Sequence, residues 1–91
     1  MILSLEEARA ALRLDGPDND AIITPLINAI PDYIYLSTGV PTKKMQNIPL
    51  AKTAAKFILT LWYNAEQAEA EKLQRTIDSL LKALQLMNLK G

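Results

Sequence analysis

A chain of 91 residues is expected to fold as one domain, residues 1–91, around a single modest core, because a polypeptide this size buries only roughly 60–65% of its unfolded surface. Ten basic residues balance ten acidic ones, which argues against a dedicated nucleic-acid binder, since such proteins gain affinity from a basic excess that neutralises phosphates. Cysteine and histidine are both absent, which removes disulfides, thiol nucleophiles, imidazole bases and the usual zinc ligands together.

In chain order, "SLEE" supplies a capping box: Ser4 accepts from a backbone N–H one turn on and Glu7 reaches back. Leu5, Ala8, Ala11 and Leu12 then recur at helical spacing and predict a short helix over about 5–13. "LDGPDND" ends it, with Gly16 suited to a C-terminal turn and Pro17 unable to continue a helix interior. Isolated helices below ~12–15 residues are marginal in water, so this one must dock on something. A second helix begins among Asp18, Asn19 and Asp20, all good N-caps. Ile23, Ile27, Ile30 and Ile34 form its inner stripe, broadened by Ile22, Leu26 and Tyr33, and Gly39 closes it. Pro25 is tolerable near the first turn, whereas Pro31 predicts a bend or a break.

The segment 38–48 reads as a loop with a polar middle. Pro49 opens a third helix that runs to about Asn64. Its apolar residues Leu50, Ala54, Phe57, Ile58, Leu61 and Trp62 cover more than one face, as expected of a central helix. "AEQAEAEKLQR" (65–75) is helix-forming but polar and reads as a solvated face. Leu73, Ile77, Leu80, Leu81, Leu84 and Met87 mark the inner face of a last amphipathic helix. Pattern alone leaves open whether the last two helices merge or are separated by a turn near 65–71. No β-type alternation or internal repeat occurs, so the fold class is all-α, a small bundle of about four helices.

The candidate sites are few. Counted from Asp15, the sixth and twelfth positions of a calcium loop hold Asp20 and Leu26 instead of glycine and glutamate, so the acidic turn reads as helix capping. A helix-turn-helix reading fails because the turn is long and acidic and the second helix carries no Lys or Arg. Glu6–Glu7 and Glu69–Glu71 lie in polar helical stretches, and Ser4, Ser37 and Ser79 have no histidine to activate them. No metal, cofactor or catalytic residue is assigned. Lys43 and Lys44 make a small basic spot, either simply solvated or facing phosphate. Tyr33 and Tyr35, two apart on a helix, point about 200° apart, so one of them lies at the surface, where tyrosine suits an interface. The most apolar run, "TAAKFILTLWY", is too short for a membrane span, and "MILSLEE" does not read as a secretory signal. The expectation is a soluble intracellular protein.

Three blocks together resemble the tailed-bacteriophage head–tail connector (adaptor) family, also called phage DNA-packaging proteins. "SLEEARAALRLDGPDNDAIITPLINAIPDYIYLSTG" has its short L-E-E helix, L-R-L-D turn, Asp-initiated second helix and closing T-G. "PLAKTAAKFILTLWYN" is an apolar helix ending on an aromatic–Tyr pair, and "LQRTIDSLLKALQL" is the leucine-rich end. Pro25, Pro31 and the long "AEQAEAEK" link depart from the pattern. The resemblance implies a non-enzymatic virion component: a subunit of a cyclic homo-oligomer beneath the portal that prolongs the DNA channel and joins head to tail after packaging. It also implies its partners, namely the portal protein, the tail-proximal stopper protein, further copies of itself and DNA in passing, with no membrane. Its implied place is the head–tail interface of the virion, reached from the host cytoplasm during assembly. On that reading the 38–48 loop with Lys43 and Lys44 faces the channel. Tyr35, Leu86, Met87 and Leu89 are the candidate interface residues, and the first helix packs across the second and third to form part of a lateral face. The other readings are a helical regulatory module that grips a partner without forming a ring, and a DNA-binding regulator.

Overall fold

The computed structural model describes residues 2–64 and 67–90. Helix α1 (Leu5–Leu12) is secured at both ends by local hydrogen bonds. The capping box forms as expected: the Glu7 N–H donates to Ser4 Oγ at 3.0 Å, and the Ser4 N–H donates to Glu7 Oε1 at 3.1 Å. The other end differs from the sequence reading, because Arg13 closes the helix instead of Gly16. Arg13 is left-handed at φ 59°, and the N–H groups of Arg13 and Leu14 donate to the Ala10 and Arg9 carbonyls at 3.2 and 2.8 Å. That conformation costs a non-glycine residue about 1–2 kcal/mol, which two bonds to otherwise orphaned carbonyls offset. Gly16 is extended and starts a 3-10 turn over Pro17–Asn19.

Two ion pairs then tie α1 to the rest. The Arg9 guanidinium grips Asp20 with both arms, Nε donating to Oδ1 at 2.9 Å and Nη2 to Oδ2, and Lys52 Nζ lies 2.9 Å from Glu7 Oε2. Ahead of the helix, Ile2 and Leu3 are buried. The short helix thus has its dock, across the second and the central helices.

Helix α2 (Asp20–Thr38) is one uninterrupted element through Pro25 and Pro31, so of the bend or break expected at Pro31 the break does not occur. Each proline removes a backbone hydrogen bond and costs ~3 kcal/mol in a helix interior. Against that, Ile23, Ile27, Ile30 and Ile34 are completely buried, each contributing about 1.5–3 kcal/mol, so packing outweighs local propensity. The N-cap, Asn19, makes no side-chain capping bond, and Asp20 spends its carboxylate on Arg9 instead. Gly39, at φ 81°, ends α2 by donating to the Tyr35 carbonyl at 2.8 Å. The buried Thr38 hydroxyl donates to the Ile34 carbonyl and accepts from the Val40 N–H, at 2.7 and 3.1 Å.

The segment expected as a loop contains a one-turn helix, α3 (Thr42–Met45). Val40, just before it, and Met45, its last residue, are buried and pin it to the bundle. Helix α4 (Pro49–Asn64) is central, touching α1, α2, α3 and the last helix. Ala51, Ala54 and Ala55 let neighbours approach closely, while Ile58 and Leu59 fill the core. Trp62, expected inside, is instead 36% exposed. Helix α5 (Gln67–Lys90) folds back along α4 and also touches α2, so the last two helices do not merge. Of the turn considered near 65–71, residues 65–66 lie outside the described residues, and Gln67 already belongs to α5. Ile77, Leu81 and Leu84 are buried as expected, with Leu73 and Leu80 half-buried. Met87 departs from that face at 49% exposure and lines a cleft with Val40, Lys44 and Ile48 instead of entering the core.

Candidate assembly surfaces

Helix α2 carries two apolar seams. The inner one is Ile23, Ile27, Ile30 and Ile34. One residue out of register, Ile22, Leu26, Ala29, Tyr33 and Leu36 recur at spacings of four, three, four and three. At 3.6 residues per turn that repeat keeps them on one flank, the 4-3 spacing of a helix that meets a second helix. The flank is only partly covered. Trp62 meets Tyr33 edge-on, with ring centroids 5.4 Å apart and planes at 74°. Ile22, Leu26, Trp62 and Tyr63 line an open groove of about 480 Å³. Ile22 is 59% exposed and Leu36 82%.

The second surface is at the other end of the bundle, where the end of α5 meets α3. Val40, Lys44, Ile48, Met87 and Asn88 line a cleft of about 200 Å³. A Cβ placed on Gly39 would lie 3.1 Å from Asn88 Nδ2, so the end of α2 and the end of α5 are in close contact. Around that contact, Leu86, Met87 and Leu89 stand exposed, Leu89 at 76%.

Charge is segregated although the total cancels. Residues 14–42 contain four aspartates and no Lys or Arg, whereas residues 33–65 contain Lys43, Lys44, Lys52 and Lys56 and no acid. After Asp78, the helix α5 sequence also has lysines but no acid. The turn before α2 is therefore the acidic end and α3 with the end of α5 the basic end. The Arg9 guanidinium bonded to Asp20 holds that carboxyl below its ordinary range. Glu7 is likewise lowered, first by the Ser4 backbone N–H and then by Lys52. These two carboxylates are committed within the subunit, while Asp15, Asp18 and Asp32 are exposed.

Among the residues singled out from sequence, Lys43 and Lys44 are exposed on α3, a pinned helical turn and not a free loop. Lys44 and Met87 line one cleft. Tyr35 is the exposed member of the tyrosine pair, Tyr33 being half-buried against Trp62. The exposed side chains of Ile22, Leu36 and Trp62 escaped the sequence reading. Their signal was the second 4-3 repeat, which looks like a broadening of the inner stripe until the neighbours are in place. Among the described residues no three acidic side chains come together as metal ligands, and no helix is long and apolar enough to cross a membrane.

Residues 2–87 match the family model described as phage gp6-like head-tail connector protein. No curated protein and no solved structure matches the chain.

Proposed function

The chain belongs to the phage gp6-like head–tail connector family, a structural family of the virion, and from that premise we propose that it acts as a ring-forming subunit beneath the portal. The ring prolongs the DNA channel, receives the tail-proximal stopper protein and joins head to tail after packaging. Residues 1–91 work as one domain without catalytic chemistry, assembling from the host cytoplasm. The observation that carries this reading is the family match over residues 2–87. It is supported by two uncovered apolar surfaces at opposite ends of the bundle, because a ring needs head-to-tail contacts between two different patches on each subunit.

Lys43 and Lys44 face the channel, where a few cations on a subunit of zero net charge can meet passing DNA without holding it. Tyr35, Leu86, Met87 and Leu89 belong to contacts with the portal or a neighbouring copy. Native mass spectrometry of the chain, alone and with the portal protein encoded beside it, tests the proposal. A ring alone, or a monomer that becomes a ring on the portal, is the expected result. A small fixed oligomer that ignores the portal would replace it with a regulatory module. Unchanged infectious titre after Lys43→Glu with Lys44→Glu would remove the channel assignment alone.

A further inference from the structure

Helix α5 carries an exposed stripe that mirrors the outer seam of α2. Arg75, Ser79, Lys82, Leu86 and Leu89 are all exposed and recur at four, three, four and three. Both stripes are therefore straight rows along their helices, free of covering partners over much of their length. Their chemistry is complementary. The α5 row carries Arg75 and Lys82 ahead of two leucines, with a single acid, Asp78, exposed beside the cations and none after it. The α2 row lies on a helix without a single cation, with Asp32 exposed near its middle and Asp18 exposed just before its start.

Laid antiparallel, the two rows match position by position. Leu89 and Leu86 fall on the groove formed by Ile22, Leu26 and Trp62, and Lys82 and Arg75 fall on either side of Asp32. Within one subunit this pairing cannot form. There α5 runs parallel to α2, with Asn88 against Gly39 and with Asp78 and Lys82 lining a groove with Tyr33 and Ser37. We propose that the Arg75–Leu89 stripe of α5 in one copy of this chain seats on the outer Ile22–Leu36 seam of α2 in the next copy, making the lateral contact of the assembly. The inference rests on the ring reading and deepens it by naming the two faces. Because the faces differ, each subunit offers one of each, and the contact propagates instead of closing as a two-fold pair. Apolar seating of two leucines gives the contact its grip, and the charge pairs fix its register and polarity.

The absence of cysteine makes the test clean. Two full-length variants, Ile22→Cys and Leu89→Cys, are each made singly and oxidised, apart and mixed, both free and with the portal protein present. The mixture is expected to give disulfide-linked pairs containing one of each variant, well above what either gives alone. Pairs formed by Ile22→Cys alone or Leu89→Cys alone in equal yield would overturn the head-to-tail contact in favour of a two-fold one. A ring by native mass spectrometry without the mixed pair would overturn this interface and leave the ring reading standing. No assembly under either condition would overturn both. As a second readout, Lys82→Glu should weaken association about fivefold, and Asp32→Lys in the same chain should restore it. Both positions are exposed, so folding is unaffected. Failure of Asp32→Lys to restore association would remove the proposed register.

Discussion

The first helix has 8 residues and its ends are closed by local hydrogen bonds, while the last has 24 and finishes on three exposed apolar side chains. Helix α1 is too short to stand alone, so its sequence secures it with a capping box, a left-handed cap and two ion pairs to other elements. Helix α5 packs through its middle by Ile77, Leu81 and Leu84, and its last turns meet the end of α2 and α3 while leaving Leu86, Met87 and Leu89 exposed. The difference separates two uses of residues. Those near the N-terminus serve the fold of the subunit, whereas Leu86, Met87 and Leu89 near the other end are not spent on it.

The largest effect should come from removing the anchor ahead of α1. Leu3 is completely buried, so Leu3→Ala should lower the unfolding free energy by about 2–5 kcal/mol in chemical denaturation. A loss under 1 kcal/mol would mean that the N-terminal end is not the fixed end. Next comes the hinge between the two regions. Gly39→Ala places a side chain at φ 81° and brings its Cβ to 3.1 Å from Asn88 Nδ2. The left-handed conformation alone should cost about 1–2 kcal/mol. Combining it with Asn88→Ala should recover only the part due to the contact, which divides backbone strain from crowding.

A smaller effect is expected at the cap. Ser4→Ala removes one partner of the box and should cost about 1 kcal/mol, seen as faster amide exchange within α1 and little change in α5. Acid should act at the same place. Asp20 and Glu7 have lowered pKa values in the folded chain, so their contribution is present above the ordinary carboxylate range and is lost as pH falls through the folded values. Amide exchange followed downward from pH 5 should show α1 loosening before α4. Asp20→Asn should weaken α1 at neutral pH and flatten its acid response.

Much of this was legible in the sequence because spacing and capping are local. The S-x-x-E box, the Ile23–Ile34 stripe and the Tyr33–Tyr35 divergence all follow from helix geometry alone. Misreadings arose where a non-local term won. Pro31 left a break open because its cost is local, while the burial that outweighs it comes from helices distant in sequence. Residues 42–45 looked like loop because a four-residue helix is too short to show a period, and Val40 and Met45 reveal the anchoring only once the bundle is assembled. Met87 keeps the inward register of Ile77, Leu81 and Leu84, but no pattern announces the cleft that it lines instead. Trp62 read as core because its helix is apolar on several faces, and it lies instead on the groove that it lines with Ile22 and Leu26. The candidate surfaces were thus half visible: Tyr35 and the leucine-rich end from sequence, Ile22 and Leu36 only from the fold.

The smallest stability effect bears most directly on the contrast. Leu89 is 76% exposed at the end of α5, so Leu89→Ala removes little area that folding had taken from water. Its unfolding free energy should stay within about 0.5 kcal/mol of the parent chain. If the residue served the subunit's own core, the loss would approach that of Leu3→Ala. A near-zero change in stability combined with lost association would place the two leucines in separate roles: one holds the subunit together, and the other holds subunits to each other. A near-zero change in both would return the end of α5 to ordinary solvated surface, because an exposed leucine needs no function to explain it.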